Sequence, residues 1–327
     1  MLKDLFKEAY EQIKKSKKIA IAGHLNPDGD CIGSICGLTL ILEDMGKEVY
    51  PFCQGIGKHL SYIPGAKKLI TYEGQGDFDL FIMVDLGDKA RLGKCSALIE
   101  SSKFSVNFDH HQANEGLCDI VIQDKKASST CELITKFAIE NSLPINNKAA
   151  TALFAGIITD SNRFLYDTAR SACMRIGADL LDLGADADTV YLNEYQKLNL
   201  NFLAFQGKVM GQAEFLNSGR ISLANITRDL LKEYKLDMPE AEAVVDTLRN
   251  LDGVEIAVIV KDVEDNLQKL SLRSKEFYNV SKLAGEFSGG GHIKAAGASL
   301  NMTNEAAYNT VKERLSRIDL NPGVGKC

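Results

Sequence analysis

No apolar run in this sequence approaches the ~20 residues needed to cross a bilayer, so no membrane-spanning segment is expected. The N-terminus, Met1-Leu2-Lys3-Asp4-Leu5-Phe6, is charged and helical in pattern, and it lacks the apolar core of a signal peptide. Asn-x-Ser/Thr triplets at Asn225, Asn279 and Asn301 therefore carry no glycosylation meaning. No Cys-x-x-Cys pair occurs among the eight cysteines, and Cys36, Cys131 and Cys173 fall in apolar, helix-like stretches. They read as buried thiols of a reducing cytoplasm, not as a disulfide framework or a zinc cluster. A basic excess is missing too. The formal net charge of −6 argues against a general binder of long or duplex nucleic acid, yet leaves a small anionic substrate open. Internal repeats and low-complexity segments are absent.

What is present is ordinary for a globular protein: 45% apolar and 25% charged residues. At 327 residues the chain is too long for one typical core, so two domains of about 100–200 residues are expected. Its organising stretch is His24-Leu25-Asn26-Pro27-Asp28-Gly29-Asp30, between the apolar run 19–22 and an apolar segment of helical length, 32–42. That is strand, tight loop, helix, which delivers polar side chains to the carboxyl edge of a sheet. Pro27 fixes its own φ, and Gly29 is expected to permit a sharp bend between two carboxylates. One imidazole and two carboxylates on one turn suit a divalent cation. The same turn also reads as a helix cap, with His24 a satisfied core residue.

The run 79–85 has the pattern of a strand buried on both faces and ends in Asp85. Residues 104–108 lead into Asp109-His110-His111, and 119–122 precede a helix starting near Ser128-Ser129. A helix over 147–158 runs into Thr159-Asp160. With a further strand at 48–52, the alternation predicts an α/β domain with a mostly parallel five-stranded sheet flanked by helices. From about Ala187 the pattern changes. Residues 189–210 read as one interdomain helix, and 213–216 and 220–224 flank the hairpin signal Asn217-Ser218-Gly219. A helix over 239–251, strands over 255–262 and 267–273, and a terminal helix over 303–317 predict a smaller C-terminal α+β domain.

Four polar sites thus converge on one predicted sheet edge: the His24 to Asp30 loop, Asp85, the Asp109-His110-His111 triplet and Asp160. Three of only five histidines fall there. One acid at a strand end is usually a cap. Four such sites together are much better explained by a metal centre.

Asp109-His110-His111, taken with His24-x-Asn26-x-Asp28-x-Asp30, Val84-Asp85 and Thr159-Asp160, resembles the DHH phosphoesterase superfamily. Ser271-Leu272-Arg273-Ser274 and Gly289-Gly290-Gly291-His292 resemble the DHHA1 substrate-binding domain that accompanies it. Order and spacing are similar to the short two-domain branch of bifunctional oligoribonucleases and pAp phosphatases. The resemblance implies a catalytic domain over 1–187, a linker helix over 188–211 and a substrate-binding domain over 212–327. It also implies two divalent cations, manganese in most relatives. His24 and Asp28 would hold one cation and Asp30, His110 and Asp160 the other, with Asp85 shared. Cations about 3.5–4 Å apart activate water and stabilise both the attacking and the leaving oxygen. The catalytic group on this reading is Asp85, Asp109, His110 and His111.

Asp109 is expected to orient a ligand histidine, or else to be a turn acid. His111 either donates to the phosphate or leaving oxygen, or packs. Asn26 is a substrate-facing amide or a loop brace. Asn162 and Arg163 depart from the small residues usual after the aspartate; Arg163 is left to reach phosphate or pair with an acid. In the second domain Gly289, Gly290 and Gly291 allow backbone N–H groups close to an anion, with His292 and Arg273 as further donors. Without the resemblance they read as a flexible loop and a surface arginine.

The implied activity is cleavage of short single-stranded RNA to mononucleotides and removal of the 3′-phosphate of adenosine 3′,5′-bisphosphate. Such a substrate is expected to be clamped by the second domain while the metals cut. A cyclic or linear dinucleotide phosphodiesterase is the closest alternative, and a non-catalytic nucleotide sensor a more distant one. The chain is expected to be cytoplasmic and a monomer or homodimer.

Overall fold

Along the first strands, apolar side chains alternate between two cores. In β1 (Lys18–Ala22), Ile19 and Ile21 enter one core, while Ala20 and Ala22 enter another. In β3 (Leu80–Val84), Leu80, Ile82 and Val84 take the first side, and Phe81 and Met83 the second. A two-residue period with both faces apolar requires layers on both sides of the sheet. With β2 (Glu48–Phe52), β4 (Ser105–Asp109) and β5 (Ile120–Gln123), these strands form an all-parallel sheet in the order β2-β1-β3-β4-β5. Helices α1 (Leu2–Lys15), α2 (Gly29–Asp44), α4 (Thr130–Glu140) and α5 (Asn147–Asp160) supply the first core. The short α3 (Ala97–Ser101) and a preceding 3-10 turn cover the second.

The order reverses direction between β1 and β3. In open α/β sheets such a switch point, at the carboxyl ends of the strands, is where ligands bind. The chain leaves β1, β3 and β4 at this edge, and the α/β expectation stands.

The computed structural model describes residues 2–74, 76–165, 170–197 and 199–320. It divides into two compact units, Met1–Lys197 and Leu198–Cys327. The stretch expected as one interdomain helix is two, α7 (Ala187–Tyr195) and α8 (Leu200–Gln212). The restart has a local cause: the Asn199 side chain accepts from the backbone N–H of Asn201 and caps α8. Leu198, inside the expected helix, lies outside the described residues. Another helix, α6 (Arg170–Asp182), carries Cys173, whose stretch reads as helix-like.

The second unit holds a six-stranded mixed sheet, ordered β10-β11-β9-β8-β7-β6. β6 (Glu214–Leu216) and β7 (Ile221–Ile226) form the expected antiparallel hairpin, and β8 (Ile256–Glu264) pairs antiparallel with β9 (Leu267–Ser274). β10 (Gly290–Gly291) and β11 (Ala295–Leu300) extend the sheet beyond β9. The helix expected over 239–251 is preceded by an unanticipated one, Arg228–Tyr234, and is itself two, Met238–Glu242 and Val244–Asn250. No described helix is long and apolar enough to cross a membrane.

Candidate metal centre

Leaving β1, the chain turns into buried His24, whose Nδ1 lies 2.8 Å from the carbonyl oxygen of Leu25. A carbonyl only accepts, so Nδ1 carries a proton and Nε2 is the nitrogen turned toward the cluster. Nε2 lies 3.8 Å from Oδ1 of Asp28 and 3.4 Å from Oδ2 of Asp85. Asp28 also caps α2, accepting from the N–H groups of Asp30 and Cys31. Cap and candidate ligand are therefore the same carboxylate. Gly29 does not supply the sharp bend expected of it; it is the first residue of α2. A Cβ there would meet Thr159 Oγ1 at 2.4 Å, so glycine lets the loop approach the end of α5.

Asp85 directly follows β3 with φ of +63°, an uncommon conformation for an aspartate and one that clusters at functional sites. Its Oδ1 accepts from the Thr130 hydroxyl at 3.0 Å and lies 3.6 Å from His110 Nε2. Buried Asp30 is held by the first N–H groups of α4: Thr130 donates to Oδ2 at 2.7 Å and Cys131 to Oδ1 at 2.9 Å. An anion at a helix N-terminus is favoured by those unpaired N–H groups and by the dipole. Each oxygen retains a lone pair. His110 Nε2 lies 3.9 Å from Asp30 Oδ2 and 3.4 Å from Asp160 Oδ2. Its Nδ1 faces the carbonyl of Ala127 at 3.4 Å, so it too turns Nε2 inward.

Burial raises the Asp85 carboxyl well above its ordinary range, and the charges of Asp30, Asp28 and Asp160 push it further. Asp160 is raised likewise, first by burial and then by Asp30 and Asp28. Burial opposes charge on His24 as well, but its hydrogen bond to Asp28 and those to Cys31 and Leu25 outweigh it, and its value rises to about 10. The cluster holds its acids and imidazoles in states that divalent cations would relieve. The donor set of carboxylate oxygens and imidazole nitrogens is the one that hard and borderline cations take. His24, Asp28 and Asp85 on one side, and Asp30, His110 and Asp160 on the other, could hold such cations.

Asp109 holds His111. Its Oδ1 accepts from His111, from Nδ1 at 2.7 Å and from the backbone N–H at 3.1 Å. His111 also lies close enough to Asp85 and His110 for the three to hold a cation together. Asn114 donates to the other Asp109 oxygen at 2.7 Å. Burial alone would raise Asp109, but these hydrogen bonds, His111 first, bring it below the ordinary range. Asn26 is exposed, with φ of +53°. Arg163 stacks its guanidinium 4.5 Å above the Tyr195 ring.

The second unit carries its own polar cavity, of about 580 Å³, lined among others by Arg273, Gly289, Gly290, Gly291, Lys261 and Lys269. Exposed His292 lies beside the glycine run, outside that lining. A Cβ on Gly289 would clash with the Gly297 carbonyl oxygen and one on Gly291 with that of Ala295, so these two can lie against β11 only as glycine, whereas Gly290 faces open space. Lys261 and Lys269 were not foreseen. They face each other across the β8–β9 ladder, and Lys269, Ser271 and Arg273 share one face through the two-residue period. That alternation was a readable signal. Lys261 is buried and pairs with Glu242 at 3.0 Å, while Glu242 also accepts from Ser271.

The DHH family N-terminal domain matches residues 18–157, and the DHHA1 domain matches 221–317. Residues 18–157 thus resemble a DHH family N-terminal domain, followed by a DHHA1-like domain over 221–317. Among the similar proteins is a bifunctional oligoribonuclease and PAP phosphatase of Bacillus subtilis, 28% identical over 88% of this chain and 91% of the relative. A cyclic-di-AMP phosphodiesterase of Listeria monocytogenes is 27% identical over 94% of this chain, but over only 48% of the relative. An exopolyphosphatase-related protein of Bacteroides fragilis superposes with a TM-score of 0.89 at 25% identity, covering 96% of each chain.

Proposed function

We propose that this phosphoesterase cleaves short oligoribonucleotides to mononucleotides and converts adenosine 3′,5′-bisphosphate to AMP, with manganese as its working cation. The observation that carries this is the convergence of His24, Asp28, Asp30, Asp85, His110 and Asp160 on one sheet edge, with both ligand imidazoles turning Nε2 inward. Divalent cations bound there supply water activation and neutralise phosphate charge.

The chain's own residues do the rest. Thr130 and the first turn of α4 hold Asp85 and Asp30 in place. Asp109 fixes the His111 tautomer, with Nδ1 donating to the carboxylate, and stabilises the ring when protonated. His111 Nε2 then delivers a proton to the leaving oxygen as the P–O bond breaks. In the second unit Arg273, Lys261 and Lys269 hold a nucleotide phosphate, and the glycine run brings backbone N–H groups to it. The seven described cysteines are all free thiols, which supports a reducing cytoplasmic setting.

The alternative is hydrolysis of cyclic or linear dinucleotides, motivated by the Listeria relative, of which this chain matches about half. The deciding experiment offers the full chain, in manganese, 5′-labelled RNA dinucleotides, adenosine 3′,5′-bisphosphate and a cyclic dinucleotide, with product identification. Mononucleotides and AMP are expected. Rapid opening of the cyclic dinucleotide with neither of the others consumed would overturn the reading.

A further inference from the structure

Cys31 brings sulfur into the metal loop, and no role described above uses it. Its Sγ, a nitrogen of His24 and a carboxylate oxygen of Asp85 all lie within 4.8 Å of one another, and all three residues are buried. The position is built around the sulfur. The backbone N–H of Cys31 is tied to Asp28 Oδ1 at 3.0 Å, and a Cβ on Gly23 would come within 2.2 Å of Sγ. Only glycine at 23 leaves that room. Two other buried thiols in this unit have hydroxyl partners: Cys131 with Ser34 at 3.2 Å, besides the backbone carbonyl of Asp30 at 3.5 Å, and Cys173 with Ser128 at 2.9 Å. Cys31 faces two metal donors.

Thiolate sulfur is soft, whereas carboxylate and imidazole suit manganese equally well at either half of the centre. The His110 half, with Asp30 and Asp160, has no sulfur in its donor group. We propose that Cys31 is a further ligand at the His24–Asp85 position, which therefore takes zinc, cobalt or cadmium through sulfur in preference to manganese. The sulfur–metal bond forms as the thiol proton leaves to solvent, and no electrons are transferred. This inference rests on the metal reading above, and it assigns different cation preferences to the two halves of the centre.

The test is a cobalt titration of the full, chelator-stripped chain, followed by absorption spectroscopy. A sulfur-to-cobalt charge-transfer band in the near ultraviolet is expected. It should be absent from Cys31→Ser and Cys31→Ala and retained in Cys118→Ser, whose cysteine lies away from the centre. In competition, Cys31→Ser should lose on the order of tenfold or more of the preference for cadmium over manganese, the scale on which ligand-shell changes alter metal affinity. Visible d–d bands of bound cobalt without the charge-transfer band in the wild type would overturn the role of Cys31 while leaving the metal centre standing. So would a band that persists in Cys31→Ser. Failure to take up any cobalt or manganese would overturn the metal centre itself, and this inference with it.

Discussion

His24 Nε2 lies 3.4 Å from Asp85 Oδ2 because β1 and β3 are parallel neighbours in register, Ala22 beside Met83. Two strands far apart in sequence end side by side, and the first polar residues beyond each end meet. His110 reaches the same carboxylate from β4, the next strand in the sheet, at 3.6 Å. Sheet order thus does the assembly, and the shared carboxylate is the one that follows the central strand of the three.

Removing metal should make this edge a source of instability. Asp85 and Asp160 have raised values in the folded protein, first through burial and then through their acidic neighbours. A carboxyl raised on folding binds a proton that the unfolded chain gives up, so its contribution falls as pH rises from the ordinary carboxyl range, about 4, through the raised value. In chelator, Asp85→Asn should therefore be more stable than the wild type at neutral pH, with the gap closing toward pH ~4. Urea unfolding across that range measures it. A wild type as stable as the variant at every pH contradicts the like-charge argument.

The Asp109–His111 pair should act on turnover and not on metal. Asp109→Asn deprives His111 Nδ1 of its carboxylate, and His111→Ala removes the proton donor. Each should lower kcat by on the order of 10²–10⁴, the usual worth of a positioned acid, with manganese content unchanged. Losses in the double variant should fall well short of the product of the two. Loss of metal from either variant would show that the pair belongs to the ligand set.

The strands and their terminal acids were legible because β1, β3 and β4 are apolar runs that stop abruptly at Asp or His. Other features had no such mark. Asp30 is gripped by two backbone N–H groups at the start of α4, which every sequence possesses; only Ser129, which caps that helix, hints at them. The pairing of Lys261 with Lys269 exists only in the β8–β9 register. β11 reads Ala-Ala-Gly-Ala-Ser-Leu, residues of low strand propensity, and forms because β9 and β10 pair with it. Which histidine Asp109 holds has no mark in the triplet; the turn after β4 makes it His111.

Arg273→Ala should weaken nucleotide binding while leaving metal content intact. A charge-assisted phosphate contact is worth about 1.5–3 kcal/mol, or roughly ten- to hundredfold in affinity. Equilibrium binding of adenosine 3′,5′-bisphosphate to the full chain, with metal analysis in parallel, reads both quantities. Unchanged affinity with lost metal would reverse the assignment of the second unit.

Efficiency should fall as RNA lengthens, with dimers to pentamers preferred. A cavity of about 580 Å³ is of small-ligand size, and a chain of net charge −6 offers little attraction to phosphates outside it. Gel-resolved digestion of 5′-labelled RNAs of increasing length checks this. Equal catalytic efficiency at all lengths contradicts it.

The central claim, that a metal centre organised on Asp85 performs the hydrolysis, is tested most directly by RNA dinucleotide turnover with Asp85→Ala in metal-controlled buffer across a manganese titration. The account predicts that turnover is nearly abolished at every manganese concentration, although the variant folds. Undiminished hydrolysis by Asp85→Ala would contradict it.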